Sequence, residues 1–299
     1  MAAAAWLAGA WVAAAGAAPE GLEARLASDR RFYYEGEPIV VRLSLHNGAG
    51  SRATLERDLV AGLEILTADG ERIGGAGATG PAAPRTLEPG GSHELPIDLS
   101  AVEELRRAGA YRIRWRSQRW AADPIEIRVI PRYDPQAAHA ARIKTTDGEI
   151  AVRLMPEVAP LAVKVFVDLA RAGFYDGARF LRVYPGSHVV SEPRPSAAAG
   201  TLLSFPGEQS DTPVLPGSVV FDPVGAAPPA NGPAFIITVR PLPAWTAQVT
   251  VFGQVTHGLD VVERISRRPT GPDDPGRPLE PVAILKLSIS AEPGPQAGP

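Results

Sequence analysis

Short runs of alternating apolar and polar residues dominate the first part of the chain. Val41, Leu43 and Leu45 are separated by Arg42 and Ser44, and the run stops at Asn47-Gly48. The segment Gly62 to Leu66 leads into Asp69-Gly70, a strong hairpin signal. After the turn residues Pro89-Gly90-Gly91, Leu95, Ile97 and Leu99 alternate, as do Tyr111, Ile113 and Trp115, then Ile125, Ile127 and Val129. A period of two places one face against a core and the other in water, as in antiparallel sheets. Strands recurring under turn punctuation predict a β-sandwich over residues 20–131. The two prolines and small residues of Pro131 to Ala138 predict a short, stiff connector, residues 132–140.

The pattern then changes. Ile143 and Thr145, then Ile150, Val152 and Leu154, flank Asp147-Gly148 and predict a hairpin. Val163, Phe166, Val167 and Ala170 recur at helical spacing, and Gly173 closes the helix. A second, mainly β domain is expected over residues 141–290, followed by a disordered tail, 291–299.

Composition removes several chemistries. The 299 residues include no cysteine, which excludes disulfides, thiolate catalysis and iron–sulfur clusters. Thirty Lys+Arg against 33 Asp+Glu give a net charge of -3 without clustering, so no nucleic-acid partner is expected. Gly 30 and Pro 31, about a fifth of the chain, favour strands and loops over helical bundles. Ala2 to Ala18 is an uncharged apolar run ending in small residues at Ala15 and Ala17, which predicts a signal peptide over residues 1–18 and export to the periplasm or the exterior. It lacks a preceding Lys or Arg, so an Ala-rich tail or weak anchor is the competing reading; no stable membrane span is expected. Arg112, Arg114 and Arg116 share one strand face, which reads as a solvated face rather than an anion site. The stretch Leu87 to Arg114 resembles the closing strands of immunoglobulin-like accessory domains and names no ligand.

From Gly173 the sequence reads Gly-Phe-Tyr-Asp-Gly-Ala-Arg-Phe-Leu-Arg-Val-Tyr-Pro-Gly, and later Asn231-Gly232-Pro233-Ala234-Phe235-Ile236-Ile237-Thr238, Val251-Phe252-Gly253-Gln254-Val255 and Gly258 to Ile265. Together these resemble the cyclophilin family of peptidyl-prolyl cis-trans isomerases. The resemblance implies an eight-stranded closed β-barrel capped by two helices, with Xaa-Pro segments of exported proteins as partners and no cofactor or metal. Isomerisation breaks no covalent bond. It rotates a partial double bond across a barrier of about 18–20 kcal/mol. A cation aimed at the prolyl nitrogen favours the twisted state, in which that nitrogen regains its lone pair. In the family this group is the Arg of Phe-His-Arg-Val, matched here by Phe180-Leu181-Arg182-Val183, so Arg182 is the implied catalytic residue.

The surrounding groove departs from the family. Ser187 and His188 stand where an aromatic and a Met wall the proline pocket; Val190 and Ala234 replace two Gln; Ile236 replaces the Phe of the floor. Trp245 keeps its place, while Val249 stands at the position of a His. Loss of the amides that hold substrate and Arg in register implies weak or lost activity. Two readings follow: a slow foldase for exported chains, or a non-catalytic proline-peptide-binding or scaffold module, with the sandwich available to a protein partner.

Overall fold

The structure, a computed structural model, describes residues 21–73, 77–192, 204–224 and 230–292. The expected signal peptide and nearly all of the expected tail lie outside these residues, as does most of the first half of the Pro/Ala-rich stretch between Pro193 and Pro216. The chain divides into two compact units, Met1–Arg132 and Tyr133–Pro299.

The first unit has strands β1 (Leu22–Ser28), β2 (Phe32–Tyr34), β3 (Val40–Asn47), β4 (Ala53–Thr54), β5 (Leu63–Thr67), β6 (Thr86–Leu87), β7 (Ser92–Asp98), β8 (Gly109–Arg116) and β9 (Ala121–Ile130). One sheet has the order β1-β3-β7 and a second β2-β9-β8-β5, while β4 and β6 form a ribbon. The alternating residues point as expected: Leu43, Leu45 and Ile97 from the first sheet and Ile65, Ile113 and Trp115 from the second share one apolar core. The Trp115 indole N–H is buried with them and donates to the Leu59 carbonyl at 2.6 Å, which removes the cost of an unpaired donor. One pairing departs from the antiparallel expectation, since β2 runs parallel to β9.

The second unit has strands β10 (Ala138–Thr145), β11 (Gly148–Leu154), β12 (Arg179–Tyr184), β13 (His188–Glu192), β14 (Phe205–Pro206), β15 (Ser218–Val224), β16 (Ala230–Thr238), β17 (Val251–His257) and β18 (Val282–Glu292), with helices α1 (Pro160–Arg171) and α2 (Leu259–Ser266). The order β13-β12-β18-β10-β11-β17-β15-β16 is closed by pairing of β16 with β13, so eight strands form a barrel. Strand β14 pairs with the opposite end of β16. Among the described residues, closure gives each of the eight barrel strands two neighbours.

Two boundaries differ from the sequence reading. Ala138 to Ala140, assigned to the connector, pair with Ser290 to Glu292, so β10 starts earlier and β18 ends later than the apolar alternation indicates. The connector is itself tied down: the Tyr133 ring stacks on His139 at 4.9 Å, and His139 Nε2 donates to the Asp134 carbonyl at 2.7 Å.

Helix α1 buries Val163, Phe166, Val167 and Ala170 against the barrel, with Phe166 5.0 Å from the Phe252 ring and 5.7 Å from that of Phe235. Ala159 supplies no capping side chain. Glu208, distant in sequence, does so instead: its carboxylate accepts from the Leu161 and Ala162 N–H groups at 3.1 and 2.7 Å. A carboxylate at the positive end of a helix satisfies two of its orphan donors.

Candidate functional site

Strands β15 and β16 carry two apolar faces. Val219, Phe221, Phe235 and Ile237 enter the barrel core. The intervening Val220 and Ile236 point the other way, into a separate cluster with Val214, Val249 and Val251, bordered by Val190, Leu242 and Trp245. Period-two alternation in a strand buried on both sides produces this second cluster. It lies where the sequence resemblance places the proline groove.

Register sets the order of side chains across the groove. Arg182 stands directly opposite Val190, Val190 opposite Ile236, and Ile236 opposite Val220. The β12–β13 ladder slips between Phe180 and Arg182. That bulge at Leu181 lets both Phe180 and Val183 enter the barrel core, although they are three apart, while Arg182 and Tyr184 remain exposed. Bulges commonly re-aim a side chain in this way. The Arg182 guanidinium Nη1 donates to the Asp274 carboxylate, both groups being partly open to solvent.

The wall is rebuilt with different chemistry. His188 stacks on Tyr184 at 4.3 Å and meets Trp245 edge-on at 5.0 Å. Burial, with a smaller contribution from the Arg240 charge, pushes the His188 imidazole down to about 4, so it is a neutral ring at pH 7. The Ser187 hydroxyl pairs with His188 Nδ1 at 3.0 Å. Ala234 lies on the same strand face as Ile236, and the neighbouring Phe235 N–H donates to Ser191 Oγ at 2.9 Å. Asp222 follows Val220 on the groove face of β15, and burial raises its carboxyl above the usual range.

Ile236 is 4% exposed and Val249 7% exposed, so the floor is a packed apolar layer. Their covering includes Val214, from the Pro/Ala-rich stretch between Pro193 and Pro216; the Leu242 N–H donates to its carbonyl at 3.0 Å and fixes the loop there. Tyr184, Arg240 and Asp274 were likewise missed. Tyr184 sits two residues from Arg182 in the same strand, which period two was able to reveal. Asp274 is 92 residues from Arg182, and no local signal joins them. Among the described residues, no group of three or more His, Cys, Asp or Glu is placed to hold a metal ion.

Residues 140–289 match the family described as cyclophilin type peptidyl-prolyl cis-trans isomerase/CLD. A peptidyl-prolyl cis-trans isomerase of Schizosaccharomyces pombe is 33% identical over 149 residues, covering 48% of this chain and 94% of its own. Peptidyl-prolyl cis-trans isomerase-like 1 of Gibberella zeae is 30% identical over 155 residues, with 50% and 94% covered. A crystal structure of a Cryptosporidium parvum cyclophilin-type isomerase aligns with 52% of this chain and 99% of its own at 22% identity and a TM-score of 0.47. The chain belongs to the cyclophilin-type peptidyl-prolyl cis-trans isomerase family through its second unit. The first unit lies outside the matched residues.

Proposed function

We propose that the second unit binds Xaa-Pro segments on its outer groove and isomerises them slowly, with Arg182 as the electrophilic donor. The observation that carries this reading is the placement of Arg182: a bulge turns it out of the barrel at the head of the row Val190, Ile236, Val220. A prolyl ring lying at the partly exposed head of that row, against Val190, brings its nitrogen towards the guanidinium. The charge attracts the nitrogen lone pair as it leaves conjugation, and so stabilises the twisted amide more than either planar form. Arg suits this because it is always charged and presents fixed donors. Trp245, His188 and Tyr184 offer ring faces to the residues flanking the proline.

One observation favours a second reading. Ile236 and Val249 are buried in a packed apolar floor, which suits peptide docking without turnover and hence a non-catalytic binding or scaffold module. In both readings the chain is exported, residues 1–18 act as a signal peptide, and the first unit is an immunoglobulin-like sandwich that engages a protein partner. The period-two strands and shared two-sheet core support the sandwich architecture; no helix among the described residues is long and apolar enough to cross a membrane.

A protease-free isomerisation assay of the full chain on short Xaa-Pro peptides, read beside peptide binding, separates the two. Catalysis that disappears in Arg182→Ala supports the isomerase. Saturable binding with no acceleration supports the docking module, and neither binding nor acceleration overturns both.

A further inference from the structure

Val190 faces Arg182 across the β12–β13 ladder and has no hydrogen-bonding side-chain atom, so the residue directly opposite does not hold the guanidinium in place. The loop between α2 and β18 does so instead. Asp274 accepts from Arg182 Nη1, and the loop that carries it is anchored to the residue after Arg182: the Val183 N–H donates to the Gly276 carbonyl at 2.7 Å. The Arg277 N–H closes a turn onto the Asp274 carbonyl at 3.0 Å, and Thr270 bridges Pro278 at the loop base. Gly276 sits at φ 105, a backbone conformation that favours glycine and completes the turn.

We propose that Asp274 is a positioning residue of the groove: it orients the Arg182 guanidinium in place of a partner from β13. The proposal rests on the isomerase reading of Arg182. An exposed ion pair of this kind adds little to fold stability, so its effect lies in where it keeps the guanidinium. Only Nη1 is engaged by Asp274. The remaining N–H donors of the five stay available to a prolyl nitrogen. Freezing one end of a long side chain in advance spares that loss of freedom at each encounter with substrate. Because the benefit arises in the twisted state, it acts on kcat more than on KM.

The test uses the full chain with its arginines labelled at Nε. In the wild type the Arg182 Nε–H is expected to be ordered on the picosecond to nanosecond scale, and in Asp274→Ala to become mobile. Asp274→Asn, which keeps an acceptor oxygen, retains part of the order. Isomerisation kcat in Asp274→Ala falls about tenfold or more with KM little changed, in line with the cost of a misplaced group. Val190→Gln added to Asp274→Ala restores both order and rate by supplying an amide opposite the guanidinium. Unchanged Arg182 order in Asp274→Ala overturns the proposal, as does a rise in kcat, which would make Asp274 a blocker. If the wild type proves inactive, the reading of Arg182 as an isomerase donor falls, while guanidinium order still decides whether Asp274 positions it.

Discussion

Ile236 and Ile237 are neighbours in β16 and belong to different cores. Ile237 packs inside the barrel with Phe221 and Phe235, while Ile236 packs outside it with Val214, Val220, Val249 and Val251. The groove floor is therefore a packed apolar layer rather than a vacancy, and it obeys the rules of a core. Ile236→Phe, which restores the family residue, overfills this layer and is expected to destabilise the second unit by about 1–3 kcal/mol. Chemical denaturation followed by resolved NMR resonances of the second unit measures this, and an unchanged midpoint would show that the floor has room.

Arg182 carries the proposed activity. Wild-type turnover is expected about 10²-fold below that of a family member with an intact groove, and Arg182→Ala lowers it at least about tenfold more. Its far-ultraviolet circular dichroism stays unchanged, because the side chain is exposed and its ion pair is worth only about 0–1 kcal/mol. An assay indifferent to the substitution would place the active groove elsewhere.

His188 links the groove to pH. Its folded-state value, about 4, lies below its ordinary 6.5. The unfolded chain therefore takes up a proton first as the pH falls. Stability from the neutral, stacked ring is complete above pH 6.5 and is lost progressively down to pH 4. In the His188→Met variant, melting temperature should fall less steeply across that window. Imidazole shifts followed by NMR should show His188 still neutral at about pH 5.

Glu208 holds the first turn of α1 from a distance. Glu208→Ala exposes two helix N–H groups without a partner and should cost about 1–2 kcal/mol. Glu208→Gln keeps an acceptor but loses the charge, so it should recover part of the difference in a thermal melt. Equal melting temperatures for all three proteins would contradict the cap.

The fold was legible where one periodicity ruled a segment. Tyr111, Ile113 and Trp115 announced β8, and Val163, Phe166 and Val167 announced α1, because burial of one face enforces the spacing. Strand β2 was not legible: Phe32 to Tyr34 is too short to alternate, and its parallel pairing with β9 depends on residues far along the chain. The site divided in the same way. Arg182 stood in a recognisable phrase, and register brought it opposite Val190 and, one strand on, Ile236. Val214 and Asp274 had no such phrase, since they reach the groove from loops whose course is set by backbone hydrogen bonds at Val183 and Leu242.

The segment from Phe205 to Val214 touches the barrel core, helix α1 and the groove floor in turn. Phe205 enters the barrel core, Glu208 grips α1, and Val214 enters the groove floor. A peptide that lifts Val214 therefore works against a lever fixed at two points. Its resistance is set by the helix cap and an aromatic anchor rather than by the groove alone, so the ease with which the groove deepens can be tuned at Glu208 or Phe205 without altering any residue that a ligand touches.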